Sequence, residues 1–133
     1  MNGVFLDTVG LLALWDSSDQ WHEPAAAAFS EISEANADLL TTTFVLLECA
    51  NAAARRPYRD AVERLRTVLE RANRLIVPSD EIWEQAWIAY RRGEADSAGV
   101  VDHVSFLVMR DLGIHRAFTN DRHFRAAGFE TLF

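Results

Sequence analysis

The feature that most constrains this chain is a unit repeated along it: a short apolar run that stops at a polar residue and passes at once into a helical pattern. It appears first as Gly3-Val-Phe-Leu6, stopped by Asp7 and followed by Thr8-Val-Gly-Leu-Leu-Ala-Leu14. It returns as Asp38–Thr42 before a helix from Thr43 to Arg55, and as Leu75–Val77 before a helix opened by Ser79, Asp80 and Glu81. A fourth copy is Arg116–Thr119 before a short helix from Asp121 to Ala126. Parallel strands need a crossover between them, and a helix is the usual one. The expected class is therefore α/β, with a central, mostly parallel sheet of about five short strands and helices on both faces.

The remaining stretches fill in this frame. Asp16–Asp19 reads as a loop, and His22-Glu23-Pro24 opens a helix running to about Glu34, with Pro where no N–H is needed. Pro57 starts an amphipathic helix carrying Tyr58, Ala61, Val62, Leu65, Val68, Leu69 and Ala72 on one face. Trp83, Trp87 and Tyr90 form a stripe at helical spacing that is read as core. Arg91–Gly99 is the most loop-like interval. A strongly apolar helix, Val100–Leu112, ends at Gly113, and Gly128–Phe133 is expected as an edge strand.

A chain of 133 residues, half of them hydrophobic, suffices for one compact domain, 1–133. Its longest apolar runs fall far short of the roughly 20 residues a bilayer span requires. The first residues carry no basic segment and long apolar run of the kind that marks export. A cytoplasmic protein is expected. The lone Cys49 cannot form an internal disulfide. A net charge of −7 argues against a protein that grips nucleic acid over its whole surface, because such binding depends on neutralised phosphates. All thirteen basic residues are Arg, and seven of them lie within Arg55–Arg74, which makes that segment locally basic or simply an ion-paired solvated face.

Four acids occupy marked places. Asp7 and Asp121 each follow a strand and precede a helix, at the end of an α/β sheet where ligands gather. Glu48 interrupts Phe44-Val-Leu-Leu-Glu-Cys-Ala, where a charge is expected to be buried and costly unless paired or metal-bound. Asp102 lies in the first turn of the apolar helix, where the macrodipole favours an anion. Each alone also reads as a cap or an ion-pair residue. Together they place four carboxylates at one end of one sheet, and unpaired negative charges cannot share a small site without a counter-ion. Hard divalent cations with oxygen ligands meet that need. Other chemistries lack their parts. His22, His103, His115 and His123 have no zinc-type spacing, and there is no Lys for a phosphate-cradling loop. His103, beside Asp102, reads as a core or solvated imidazole.

These residues resemble the PIN domains, most closely the VapC-type ribonuclease toxins of bacterial toxin–antitoxin pairs. The resemblance rests on Phe5-Leu-Asp7-Thr8, Thr42-Thr-Phe-Val-Leu-Leu-Glu48, Val101-Asp-His-Val-Ser-Phe106 with Met109, and Phe118-Thr-Asn-Asp121-Arg-His-Phe124, which in order cover nearly the whole chain. It implies a PIN-like three-layer sandwich. It also implies that Asp7, Glu48, Asp102 and Asp121 are the acidic quartet that binds Mg2+ or Mn2+, with Thr8 and Thr119 as accompanying hydroxyls. Where many such toxins have an aromatic and a Ser shortly before the third acid, this chain has Ala98 and Gly99. Where they have an Asp-Lys pair further upstream, it has Ala95-Asp96.

The implied activity is a metal-dependent endoribonuclease acting on RNA, with a cognate VapB-like antitoxin and a homodimeric unit. The rival expectations are a PIN nuclease acting in RNA processing or on DNA, and a catalytically silent protein-binding module.

Overall fold

The computed structural model describes residues 2–133. Strands β1 (Gly3–Leu6), β2 (Asp38–Thr42), β3 (Leu75–Ile76), β4 (Arg116–Phe118) and β5 (Glu130–Thr131) form one sheet in the order β3-β2-β1-β4-β5, and every pairing is parallel. The expected α/β class is the observed one. β1 lies at the centre, and Val4, Phe5 and Leu6 are all fully buried. Successive strand residues point to opposite faces, so burial of all three means that both faces are covered.

Helices α1 (Thr8–Trp15), α2 (His22–Glu34), α3 (Thr43–Ala53) and α4 (Arg59–Arg71) form one group, in which α1 packs against α2 and α3, and α3 against α4. Helices α5 (Asp80–Arg91), α7 (Val100–Leu112) and α8 (Arg122–Ala126), with the single turn α6 (Glu94–Ser97), form the other. Beneath α7 and α8 an aromatic cluster joins Phe106 to Phe124 edge-on at 4.9 Å and both to Phe129. α1 is held unusually close to the sheet. A Cβ on Gly10 would stand 2.1 Å from the Phe118 carbonyl oxygen, so only glycine lets the helix lie against the end of β4.

Four local expectations change. Pro57 lies in a turn and the helix begins at Arg59. The last strand is only Glu130–Thr131. The interval expected to be loop contains α6, whose Ala95, Asp96 and Ser97 are all left-handed, with φ of 53°, 58° and 58°. Side chains pay about 1–2 kcal/mol each for that conformation, so the turn is strained.

The Trp83, Trp87, Tyr90 stripe is not core. The three are 46%, 38% and 49% exposed and stack edge to face in a ladder that Phe44 of α3 extends. Helical spacing shows that apolar residues share a face, and the described residues leave much of that one uncovered.

Candidate active site

The register of the sheet brings the first site residues together. Leu6 of β1 pairs with Phe118 of β4, so the next residue of each strand, Asp7 and Thr119, emerge side by side. Thr119 Oγ1 donates to Asp7 Oδ2 at 2.8 Å and accepts the Asp121 N–H at 3.1 Å, so one hydroxyl ties the first acid to the fourth. Asp7 occupies the N-cap position of α1, yet its side chain caps nothing. The capping explanation for that residue therefore fails.

Asp7 is 3% exposed. Burial, reinforced by the charge of Asp102 and then of Asp121, pushes its carboxyl up to about 7, with the Thr119 hydroxyl pulling the other way. Asp102, half-buried in the first turn of α7, is pushed up to about 6 by burial and by the charges of Asp121 and Glu48. His123 and the Gly99 backbone N–H oppose that shift. Asp121 does cap α8, accepting the His123 N–H at 2.9 Å through Oδ1.

Glu48 departs from expectation. It is exposed, because the core-facing side of α3 is formed by Val45, Leu46, Cys49 and Ala53, and both Leu47 and Glu48 look outward. Its anchor is polar: Thr8 Oγ1 donates to Glu48 Oε1 at 2.6 Å, which joins the start of α1 to α3. The four acids thus belong to one electrostatic neighbourhood, in which Thr119 ties Asp7 to Asp121 and Thr8 holds Glu48. Ion pairs in the chain link Arg66 to Glu63 and Glu70, Arg74 to Asp38, and Arg122 to Asp96. None of these involves the four.

The donor set is carboxylate and hydroxyl oxygen, which suits Mg2+ or Mn2+. Among the described residues no three His, Cys, Asp or Glu side chains close into a ready-made cage. Open geometry fits a small hard cation, which retains several waters and is held by one or two carboxylates together with substrate phosphates. Cys49 lies behind the site, buried, with its thiol pushed up to about 12 by burial and the nearby Asp7 charge, so it is no nucleophile. His103 is a core imidazole, 3% exposed and edge-on to Phe106. A cavity of about 450 Å³ between Trp15, Arg56 and Tyr58 is lined by none of the four acids.

Residues 4–130 match the PIN domain among known protein families. The chain belongs to the PIN domain family. Over 131 residues, 95% of each chain, this PIN domain is 32% identical to the 23S rRNA-specific endonuclease VapC20 of Mycobacterium tuberculosis. It superposes on the crystal structure of M. tuberculosis VapC20, described as a sarcin-ricin loop cleaving toxin, with a TM-score of 0.75 at 29% identity over 95% of both chains. FitAcB from Neisseria gonorrhoeae has the same fold, with a TM-score of 0.63 at 18% identity over 96% of this chain and 95% of that one.

Two features of this PIN domain's site were not read from its sequence. Gly10 sits in the first helical turn, where a glycine is costly enough to signal a close approach, and the approach is to Phe118. The His123 ring contacts the carbonyl of Ala95, and no sequence spacing forecasts that contact. No helix among the described residues is long and apolar enough to cross a membrane.

Proposed function

We propose that this PIN domain is a metal-dependent endoribonuclease that hydrolyses RNA phosphodiester bonds as the toxin of a VapBC-type pair. Asp7, Glu48, Asp102 and Asp121 are its catalytic and metal-holding residues in this reading. One observation carries it: the Asp7 carboxyl is buried, has no cation partner among the described residues, and is pushed up to about 7 by that burial together with the charges of Asp102 and Asp121. Burying a charge this way costs folding free energy and serves no structural purpose visible in the chain. A divalent cation removes the cost.

Asp7 and Asp102 would hold Mg2+ or Mn2+, with Asp121 completing the cluster and Glu48 either holding the ion or orienting water. When bound, the cation supplies stabilisation of charge on the phosphate oxygens and lowers the pKa of adjacent water. Thr119 fixes the Asp7 carboxylate against Asp121. Thr8 occupies Oε1 of Glu48, which leaves its other oxygen free to accept from a water. Exposed arginines grip the RNA backbone without reading its sequence.

RNA as substrate is supported by full-length similarity to a 23S rRNA-specific endonuclease. A cognate VapB-like antitoxin, a homodimer and a cytoplasmic location complete the proposal. The uncovered ladder of Trp83, Trp87 and Tyr90 offers an apolar surface to a second copy.

The test is to incubate the purified chain with cellular RNA in the presence of Mn2+, Mg2+ or chelator and to sequence the new RNA ends. Defined cuts that need the cation and vanish in Asp7→Asn are expected. An Asp7→Asn protein that cuts as fast as the wild type overturns the assignment. Failure of Mn2+ to raise the unfolding temperature would favour the binding-module reading.

A further inference from the structure

We infer that His123 is a positioning residue that clasps the strained α6 turn and thereby sets the third carboxylate, Asp102, against the fourth, Asp121; this rests on the metal-site reading above. Asp121 is delivered by the start of α8, and Asp102 by the first turn of α7, only a few residues after α6. Two consecutive residues of α8 reach across the gap. His123 Nδ1 lies 3.2 Å from the Ala95 carbonyl oxygen, and Arg122 Nη1 lies 3.5 Å from Asp96 Oδ2. A carbonyl only accepts, so Nδ1 carries the proton and the ring orientation is fixed.

The segment they hold is the one that would not keep its shape unaided. Ala95, Asp96 and Ser97 are consecutive left-handed residues, none of them glycine. Backbone in such a conformation persists only where surrounding contacts over-determine it. The two contacts differ in weight. Arg122 and Asp96 are 71% and 62% exposed, which makes their pair weak, whereas the His123 contact is partly buried. Below, Phe124 anchors α8 by packing edge-on to Phe106 of α7. The gap between Asp102 and Asp121 is therefore pinned at its base by two phenylalanines and at its rim by His123.

Asn offers the sharpest test, because its side-chain amide places an N–H near the position of Nδ1 and has nothing in place of Nε2. His123→Ala and His123→Asn are compared by amide exchange at Ser97 and Ala98 in the metal-free protein, by Mn2+ affinity from thermal-shift titration, and by RNA cleavage. His123→Ala is expected to speed exchange, weaken Mn2+ binding by about 10–100-fold and lower kcat more than it raises KM. His123→Asn is expected to restore most of each. Arg122→Ala should change all three little.

The inference is overturned if His123→Ala exchanges and binds Mn2+ like the wild type. It is equally overturned if His123→Asn is as defective as His123→Ala, since the effect would then belong to Nε2. Should the alanine variant fail to fold, the asparagine variant decides alone. A wild type that binds no Mn2+ defeats the functional reading instead, and the exchange data then judge the clasp by themselves.

Discussion

Asp7 and Glu48 both follow a strand closely and both accept a threonine hydroxyl, yet the fold treats them oppositely. Asp7 is sealed beneath α1, which Gly10 allows to lie on the Phe118 carbonyl, and its carboxyl is pushed up to about 7. Glu48 stands on the outward side of α3 with water around it. The contrast separates two duties that a row of acids can perform. A buried carboxylate has exchanged its hydration for whatever ion it meets, whereas an exposed one can hold and reorient water at little cost. The first should dominate cation affinity and the second the handling of water and substrate.

The largest effect that would break this contrast comes from Asp7→Asn. RNA cleavage should fall by roughly 100-fold or more, while the metal-free protein becomes more stable above neutral pH because a buried charge is gone. Glu48→Gln should lower cleavage less and change metal-free stability far less, through the one charge it removes near Asp102. Equal losses of activity with equal changes in stability would erase the distinction. Both are read from single-turnover cleavage and chemical denaturation.

Next comes the seal itself. Gly10→Ala places a methyl 2.1 Å from backbone oxygen and should destabilise the fold by about 3 kcal/mol or more, since α1 must lift from β4. A stability within 1 kcal/mol of the wild type, roughly the size of an ordinary surface change, would show that Asp7 is not held as described.

A pH series sharpens the comparison further. Asp7 and Asp102 have folded-state values of about 7 and about 6, above an unfolded value near 3.8, so the folded state binds more protons in between. Their contribution to stability is therefore greatest below about pH 4 and is lost as pH rises toward 6 to 7, the reverse of a salt-bridged carboxylate. The loss is of the order of 1.4 kcal/mol per pH unit for a fully buried group, and less for the partly exposed Asp102. Saturating Mn2+ should flatten the decline. Glu48→Gln should soften it only slightly, by removing one of the charges that raise Asp102. The smallest expected effect is at the aromatic ladder: Trp83→Ser with Trp87→Ser should shift sedimentation toward the monomer while barely moving the unfolding temperature.

Much of this was legible in the residues. The strand-to-helix junctions marked Asp7 and Asp121, while the pairing and register of β1 with β4 that bring them together appear only in the structure. Three things were hidden for physical reasons. Apolar neighbours suggested that Glu48 is buried, but Leu47 beside it is 62% exposed, because helix phase rather than composition decides which residues face in. The same gap concealed the exposure of Trp83 and Trp87, since periodicity defines a face without naming what covers it. The left-handed turn at Ala95–Ser97 carries no glycine at its strained positions, so nothing in the local sequence announced it. Only tertiary contacts such as that of His123 explain why it persists.

The most direct test is calorimetric titration of Mn2+ into the wild type and Asp7→Asn between pH 5 and pH 8, in buffers of different ionisation enthalpy so that released protons are counted. Binding by the wild type should tighten as pH rises and expel protons below about pH 7, with Asp7→Asn losing most of both affinity and proton release. Identical isotherms for the two proteins, independent of pH, would contradict the claim that a buried, unpaired carboxylate is the centre of this site.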